Sequence, residues 1–187
     1  MPLPLRAETA AALAAGDRAL LTGVLYTARD AAHKALAALL AAGRPLPFPI
    51  KDAVIYYTGP CPAAPGQIIG AAGPTTGGRM DPYTPALLAL GLRGMIGKGR
   101  RSPEVVDAMR RAGAVYFGAL GGAGALLAAR IKTSRIVAFP ELGAEAIREL
   151  YVEEFPVTVI IDSKGNDLYV SGREEYLRSA GMTAEEM

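Results

Sequence analysis

The sequence predicts an α/β fold with a mixed sheet in a single domain. Runs rich in β-branched and aromatic residues alternate with alanine- and leucine-rich runs of helical spacing along the whole chain. The 187 residues suit one domain, and 51% hydrophobic with 20% charged residues is a composition that can bury a sizeable core. The chain shows no internal repeat and no linker long enough to divide it. The domain is therefore expected to take in residues 1–187, with its core at about 17–169 and a polar C-terminal tail.

Residues 7–14 read as a short helix stopped by Gly16, and 17–28 (DRALLTGVLYTA) as a strand with a glycine at 23. In 29–43 apolar residues recur at helical spacing, with Asp30 in the first turn and Gly43 as the stop. A proline-rich extended connection leads to a strand at 52–59 (DAVIYYTG). Residues 60–81 form a long loop, with a short strand expected around 67–70. A helix at 82–91 opens on Pro82, and a short strand at 93–99 runs into Lys98 between two glycines. Ser102 caps a helix that opens on Pro103 and runs to Ala112. A strand at 114–120 is followed by a helix opening on glycines (GGAGALLAARI). Strands at 135–142 and 152–162 flank a short helix at 145–150. Residues 163–167 (SKGND) form a turn of hairpin type, and from about Val170 the tail is polar and weakly patterned.

A net charge of +2 is too mild to argue for nucleic acid, even with a sequence pI near 8.7, and points instead to a small anionic ligand. The most apolar stretch, 114–131, is broken by four glycines and an arginine, so no bilayer span is expected. The first residues lack the basic start, apolar run and cleavage site of a secretion leader, which makes the cytoplasm the expected compartment. One cysteine, Cys61, excludes an intrachain disulfide. With a single histidine beside it, the chain cannot by itself hold a zinc site of His and Cys or an iron–sulfur cluster.

Glycines concentrate after the predicted strands, where open α/β sheets place their ligand crevice. The loop GPTTGGRMD (73–81) brings the hydroxyls of Thr75 and Thr76, two glycines that let backbone approach a ligand, and the planar fork of Arg79. It reads equally as a glycine-rich turn with a surface arginine. GMIGKGRRS sets Lys98 directly after a strand, like a phosphate loop but without that motif's spacing; a solvated lysine is the alternative. In YTARDAAHK, Arg29 and His33 are four apart and share a helical face, His33 being either a site group or a packed structural one. Nothing basic adjoins Cys61, which reads as an inert loop thiol. GGAG does not complete a dinucleotide fingerprint and reads as close packing.

Taken in order, YTARDAAHK, YYTGPCPAAPGQIIGAAGPTTGGRMDPYTP, GMIGKGRRS, AVYFGALGGAGALLA, VAFPELGAEAI and VEEFPVTVIIDSKGNDLY resemble one family from about Asp17 to Tyr169. It is the β subunit, or C-terminal domain, of the iron–sulfur hydro-lyases, class I fumarate hydratase and L(+)-tartrate dehydratase. The resemblance implies a swivelling β/β/α domain and a cysteine-bearing α subunit that holds a [4Fe-4S] cluster with one open iron. It implies substrate contacts at Arg29, Thr75, Thr76, Arg79 and Lys98, a proton-transfer role for Thr75, and a family position for His33. It implies no metal ligand in this chain, in keeping with the cysteine count.

Threonine is a poor base unaided, so Thr75 would need a carboxylate or charge network to assist it. A dicarboxylate calls for at least two cationic clamps, and Arg29, Arg79 and Lys98 are three. GGRMDPYTP is more similar to the fumarase branch, although nothing in the chain excludes a second substrate hydroxyl. The implied function is therefore the β subunit of a heteromeric hydro-lyase that hydrates fumarate to malate. The alternatives are a tartrate dehydratase β subunit and a non-catalytic anion-binding module.

Overall fold

A computed structural model describes residues 1–180. In chain order its elements are α1 (Ala7–Ala12), β1 (Arg18–Thr27), α2 (Asp30–Ala41), β2 (Val54–Tyr56), a 3-10 turn (Gly77–Met80), α3 (Thr84–Ala89), β3 (Gly94–Gly97), α4 (Pro103–Ala112), β4 (Val115–Gly118), α5 (Gly124–Ala128), β5 (Ile131–Ala138), a 3-10 segment (Pro140–Glu145), β6 (Ile147–Ile161) and α6 (Leu168–Ala180). No helix among the described residues is long and apolar enough to cross a membrane.

The sheet is mixed, as its pattern predicts. Strands β1 to β4 run parallel in order, with Tyr26 opposite Ile55, Ile55 opposite Met95 and Ile96 opposite Phe117. The long β6 pairs antiparallel with both ends of that series: Leu21 faces Phe155 on β1, and Phe117 faces Val159 on β4. The five strands thus close into a small barrel, and β5 adds to β6 as an outer strand. Closure leaves the parallel strands apolar on both faces. Val54, Tyr56, Ile96, Val115, Phe117 and Phe155 meet in one buried cluster with Leu5, Ala10 and Leu127. The alternate residues Ile55, Tyr57, Met95 and Tyr116 join a second cluster with Leu36, Leu87 and Val105 of the helices.

Several local expectations differ from the structure. Residues 67–70 form no strand: Pro60, Pro62 and Pro65 remove donors, and the loop bonds to itself through Cys61 N–H to the Ala71 carbonyl at 2.9 Å. The short helix expected at 145–150 is the start of β6, because Leu150 is laddered between Leu25 and Ser134 and this pairing overrides local helical preference. The helical turn falls earlier, at Pro140–Glu145, and β5 begins at Ile131. The 163–167 turn leads not to a hairpin strand but, after a single bridge between Ile161 and Asp167, into α6. Leu177 of α6 is buried, so the tail is ordered helix up to Ala180; residues 181–187 lie outside the described residues. The packed core also starts earlier than position 17, with Leu5 and Ala10 fully buried.

Candidate functional site

The predicted site residues stand at the C-terminal ends of consecutive parallel strands. Arg29 follows β1 as the N-cap of α2, Thr75, Thr76 and Arg79 lie on the loop returning from β2, and Lys98 follows β3. The β2 loop is tied back to its own strand. The Tyr56 hydroxyl donates to the Ala72 carbonyl at 2.6 Å, the Thr58 hydroxyl to the Gly73 carbonyl at 2.8 Å, and the Thr75 N–H to the Tyr57 carbonyl at 2.6 Å. The GPTTGGRMD and GKG loops then pair directly: Thr76 and Lys98 form a parallel bridge, Lys98 N–H donates to the Thr75 carbonyl at 3.2 Å and Gly77 N–H to the Lys98 carbonyl at 2.7 Å. These bonds occupy the Thr75 backbone and leave its half-buried hydroxyl for other partners.

Asp30 joins the remaining pieces. Its Oδ1 forms an ion pair with Arg79 Nε at 2.9 Å and its Oδ2 stands 3.7 Å from Arg29 Nε. Arg29 Nε and Asp30 Oδ2 are each buried without a hydrogen-bond partner, so this second contact is an ion pair too long for a hydrogen bond. Glu145 completes the group, with Oε1 at 3.5 Å from Arg29 Nη2. Arg29 and Arg79 thus balance the carboxylates of Asp30 and Glu145, and the exposed Lys98 on the loop bridged to Thr76 is the further positive charge that an anion site requires. Arg79, with half its side chain exposed, Thr76 and Lys98 are open to solvent, whereas Arg29 is three-quarters buried.

His33 lies elsewhere. It is fully buried, its Nδ1 donates to the Arg29 carbonyl at 2.9 Å, and its ring meets the edge of Tyr57 at 5.4 Å. Burial pulls the imidazole down to about 4, with the nearby Arg101 charge adding to the effect, so it is neutral near pH 7. The structure thus puts His33 behind the Arg29 backbone and not on the surface that the other five share.

Behind the loops sits a group that sequence reasoning passed over. Arg101 is buried and donates from Nε to Asp81 Oδ1 at 2.7 Å and from Nη2 to the Thr84 hydroxyl at 2.8 Å. Its guanidinium carbon stands 4.9 Å from the Tyr116 ring centre and 5.4 Å from that of Tyr57. Asp81 Oδ2 accepts the Ser102 N–H at 2.7 Å. The end of GPTTGGRMD is thereby bolted to the start of α4. Gly77 must be glycine here, because a Cβ would stand 2.5 Å from the Tyr116 hydroxyl oxygen and 3.0 Å from Arg101 Cδ. The GGAG segment packs closely, as predicted, although against a loop: a Cβ on Gly124 would lie 3.0 Å from Gly73 N.

No group of three or more His, Cys, Asp or Glu among the described residues could hold a metal ion, and Cys61 is exposed. Beside Lys98, whose Cδ lies 3.7 Å from the Cβ position of Gly121, opens an apolar cleft of about 500 Å³ lined by Leu20, Leu120, Leu126, Leu127 and Val157.

Fold and site together define an α/β closed-barrel domain that presents a cationic, hydroxyl-bearing loop cluster at one edge. The Fumarase C-terminus family matches residues 4–172, and the chain belongs to that family. It is 46% identical over 154 residues to "Fumarate hydratase class I, anaerobic" of Escherichia coli (strain K12), covering 81% of this chain and 28% of that protein. To "Fumarate hydratase 2" of Leishmania major it is 43% identical over 156 residues, 82% of this chain and 28% of that one. It is also 37% identical over 163 residues, 84% of each chain, to "Putative L(+)-tartrate dehydratase subunit beta" of Methanocaldococcus jannaschii. The chain therefore spans a little over a quarter of these fumarate hydratases and 84% of the tartrate dehydratase subunit.

Proposed function

We propose that this chain is the substrate-clamping part of a hydro-lyase that interconverts fumarate and malate. The observation that carries this is the convergence of Arg29, Thr75, Thr76, Arg79 and Lys98 in one bonded loop cluster at the strand ends. Arg79 and Lys98, both solvent-facing, would take one carboxylate of a C4 dianion by charge-assisted hydrogen bonds, and Arg29 the other. The Thr75 hydroxyl would stand near the reacting carbon and carry its proton, with the surrounding cations stabilising the charge that develops beside the carboxylate.

The iron–sulfur cluster that the family resemblance implies finds no ligand set among the described residues, and no step assigned to this chain passes through it. A cysteine-bearing α subunit would hold it and cover the open side of the loops. The exposed Leu120 and Leu126 of the apolar cleft support such a partner, since exposed apolar surface is what another polypeptide covers. A second reading, the β subunit of an L(+)-tartrate dehydratase, is favoured by the match to 84% of the subunit from Methanocaldococcus jannaschii, against little over a quarter of the fumarate hydratases. Anaerobic co-expression with the candidate α subunit, followed by assay of fumarate, malate and tartrate, separates the two. Turnover of fumarate and malate supports the first reading and preference for tartrate the second. A chain that neither assembles nor turns over any of the three would favour a non-catalytic anion-binding module.

A further inference from the structure

Glu145 belongs to no motif that the reaction uses, yet its carboxylate stands at the root of the site. One oxygen, Oε2, accepts the Ala31 N–H at 2.8 Å, in the first turn of α2 where the N-cap Arg29 offers no acceptor of its own. The other, Oε1, faces Arg29 Nη2 at 3.5 Å. The guanidinium lies in a slot. Its Nη1 is 2.8 Å from where a Cβ of Gly59 would stand, the Ala144 carbonyl is 3.3 Å from that same point, and Asp30 flanks Nε at 3.7 Å.

The segment that delivers Glu145 is fixed at both ends. It starts at Phe139, held in the left-handed region at φ 54 and ψ 52, and turns at Gly143 with φ 59. Just beyond it, the Ala146 carbonyl accepts the Thr27 hydroxyl at 3.2 Å, and Arg148 N–H donates to the same Thr27 oxygen at 2.9 Å. The end of β1 therefore sets where Glu145 reaches.

We infer that Glu145 is a positioning residue: it holds the Arg29 guanidinium in its slot, ready for a ligand carboxylate. This rests on the reading of Arg29 as a dicarboxylate clamp. An arginine side chain loses much rotamer freedom when it is ordered. A fixed carboxylate does that ordering during folding, so the ligand meets a clamp already in place. At 3.5 Å the contact orients the guanidinium without using up its N–H donors in a short hydrogen bond.

The test is a double-mutant cycle in the chain assembled with its α subunit: wild type, Glu145→Gln, Arg29→Ala and the double variant. For each, KM and kcat with fumarate, the Kd of succinate by calorimetry and the melting temperature are measured. Glutamine keeps an oxygen for the Ala31 N–H and loses the charge facing Arg29. Glu145→Gln is expected to raise KM and the succinate Kd about tenfold with kcat nearly unchanged, as for lost uniform binding. In the Arg29→Ala background the same change should add nothing. Coulomb's law alone predicts the opposite sign, because removing a carboxylate from a cationic site strengthens anion binding. Unchanged or tighter succinate binding in Glu145→Gln overturns the inference, and so does an equal fold-change in both backgrounds. If Arg29→Ala itself leaves KM and the succinate Kd untouched, the clamp reading fails, and Glu145 with it.

Discussion

Thr76 and Lys98 face each other across a parallel bridge, with backbone hydrogen bonds on either side of it. Two loops that are separate in the sequence thereby become one surface. Movement of either displaces the other, and both rest on the same buried support.

Gly77 is where that surface meets its support. Gly77→Ala would drive a methyl group against the Tyr116 hydroxyl and Arg101 Cδ, both buried and hemmed in. Overpacking of this kind costs about 1–3 kcal/mol. The variant should melt several degrees lower and lose at least about tenfold in kcat/KM, because the Thr75–Arg79 loop has to lift. Thermal melting with steady-state kinetics checks this, and wild-type values in both would show that the loop is not seated as described.

The Asp81–Arg101 pair is structural. Removing one partner of a buried ion pair costs about 3–5 kcal/mol, whereas replacing both is often close to neutral. Arg101→Met should therefore destabilise strongly, and the Asp81→Asn, Arg101→Met double variant should recover part of the loss. Urea unfolding measures both. A single variant as stable as wild type would remove Arg101 as the support.

His33 makes acid a specific stress. Its imidazole is held at about 4 when folded, against 6.5 for the free group. The unfolded chain binds the extra proton in that window, so the stability His33 contributes is complete above pH 6.5 and is lost as pH falls towards 4. The loss amounts to about 3 kcal/mol. His33→Leu should show a flatter stability profile between those pH values, measured by urea unfolding across the range. A profile as steep as wild type would contradict the assignment.

What was legible in the sequence follows physical range. Thr75, Thr76, Arg79 and Lys98 sit in glycine-rich loops and Arg29 at a strand-to-helix junction, local patterns that the closed sheet then gathers to one edge. Glu145 was not legible, because its bond to Ala31 spans 114 positions and the residues around it read locally as helix until β1 and β5 recruit them into β6. Arg101 was hidden for another reason. It stands beside Arg100, which is exposed, and nothing in the pair of identical residues marks which one turns inward. Which arginine lies under the loops is decided by Asp81, Thr84 and the two tyrosines, all distant in sequence.

The solvent-facing Arg79 and Lys98 on the Thr76–Lys98 surface are the groups assigned to one carboxylate of the substrate. The most direct measurement is kcat/KM for fumarate in the assembled enzyme carrying Arg79→Ala or Lys98→Ala. Both side chains are exposed, so the melting temperature should stay within about 2 °C of wild type. For each variant kcat/KM should fall about a hundredfold or more, as expected when a charge-assisted contact to a substrate carboxylate is lost. Near-normal kcat/KM in either variant would contradict that assignment.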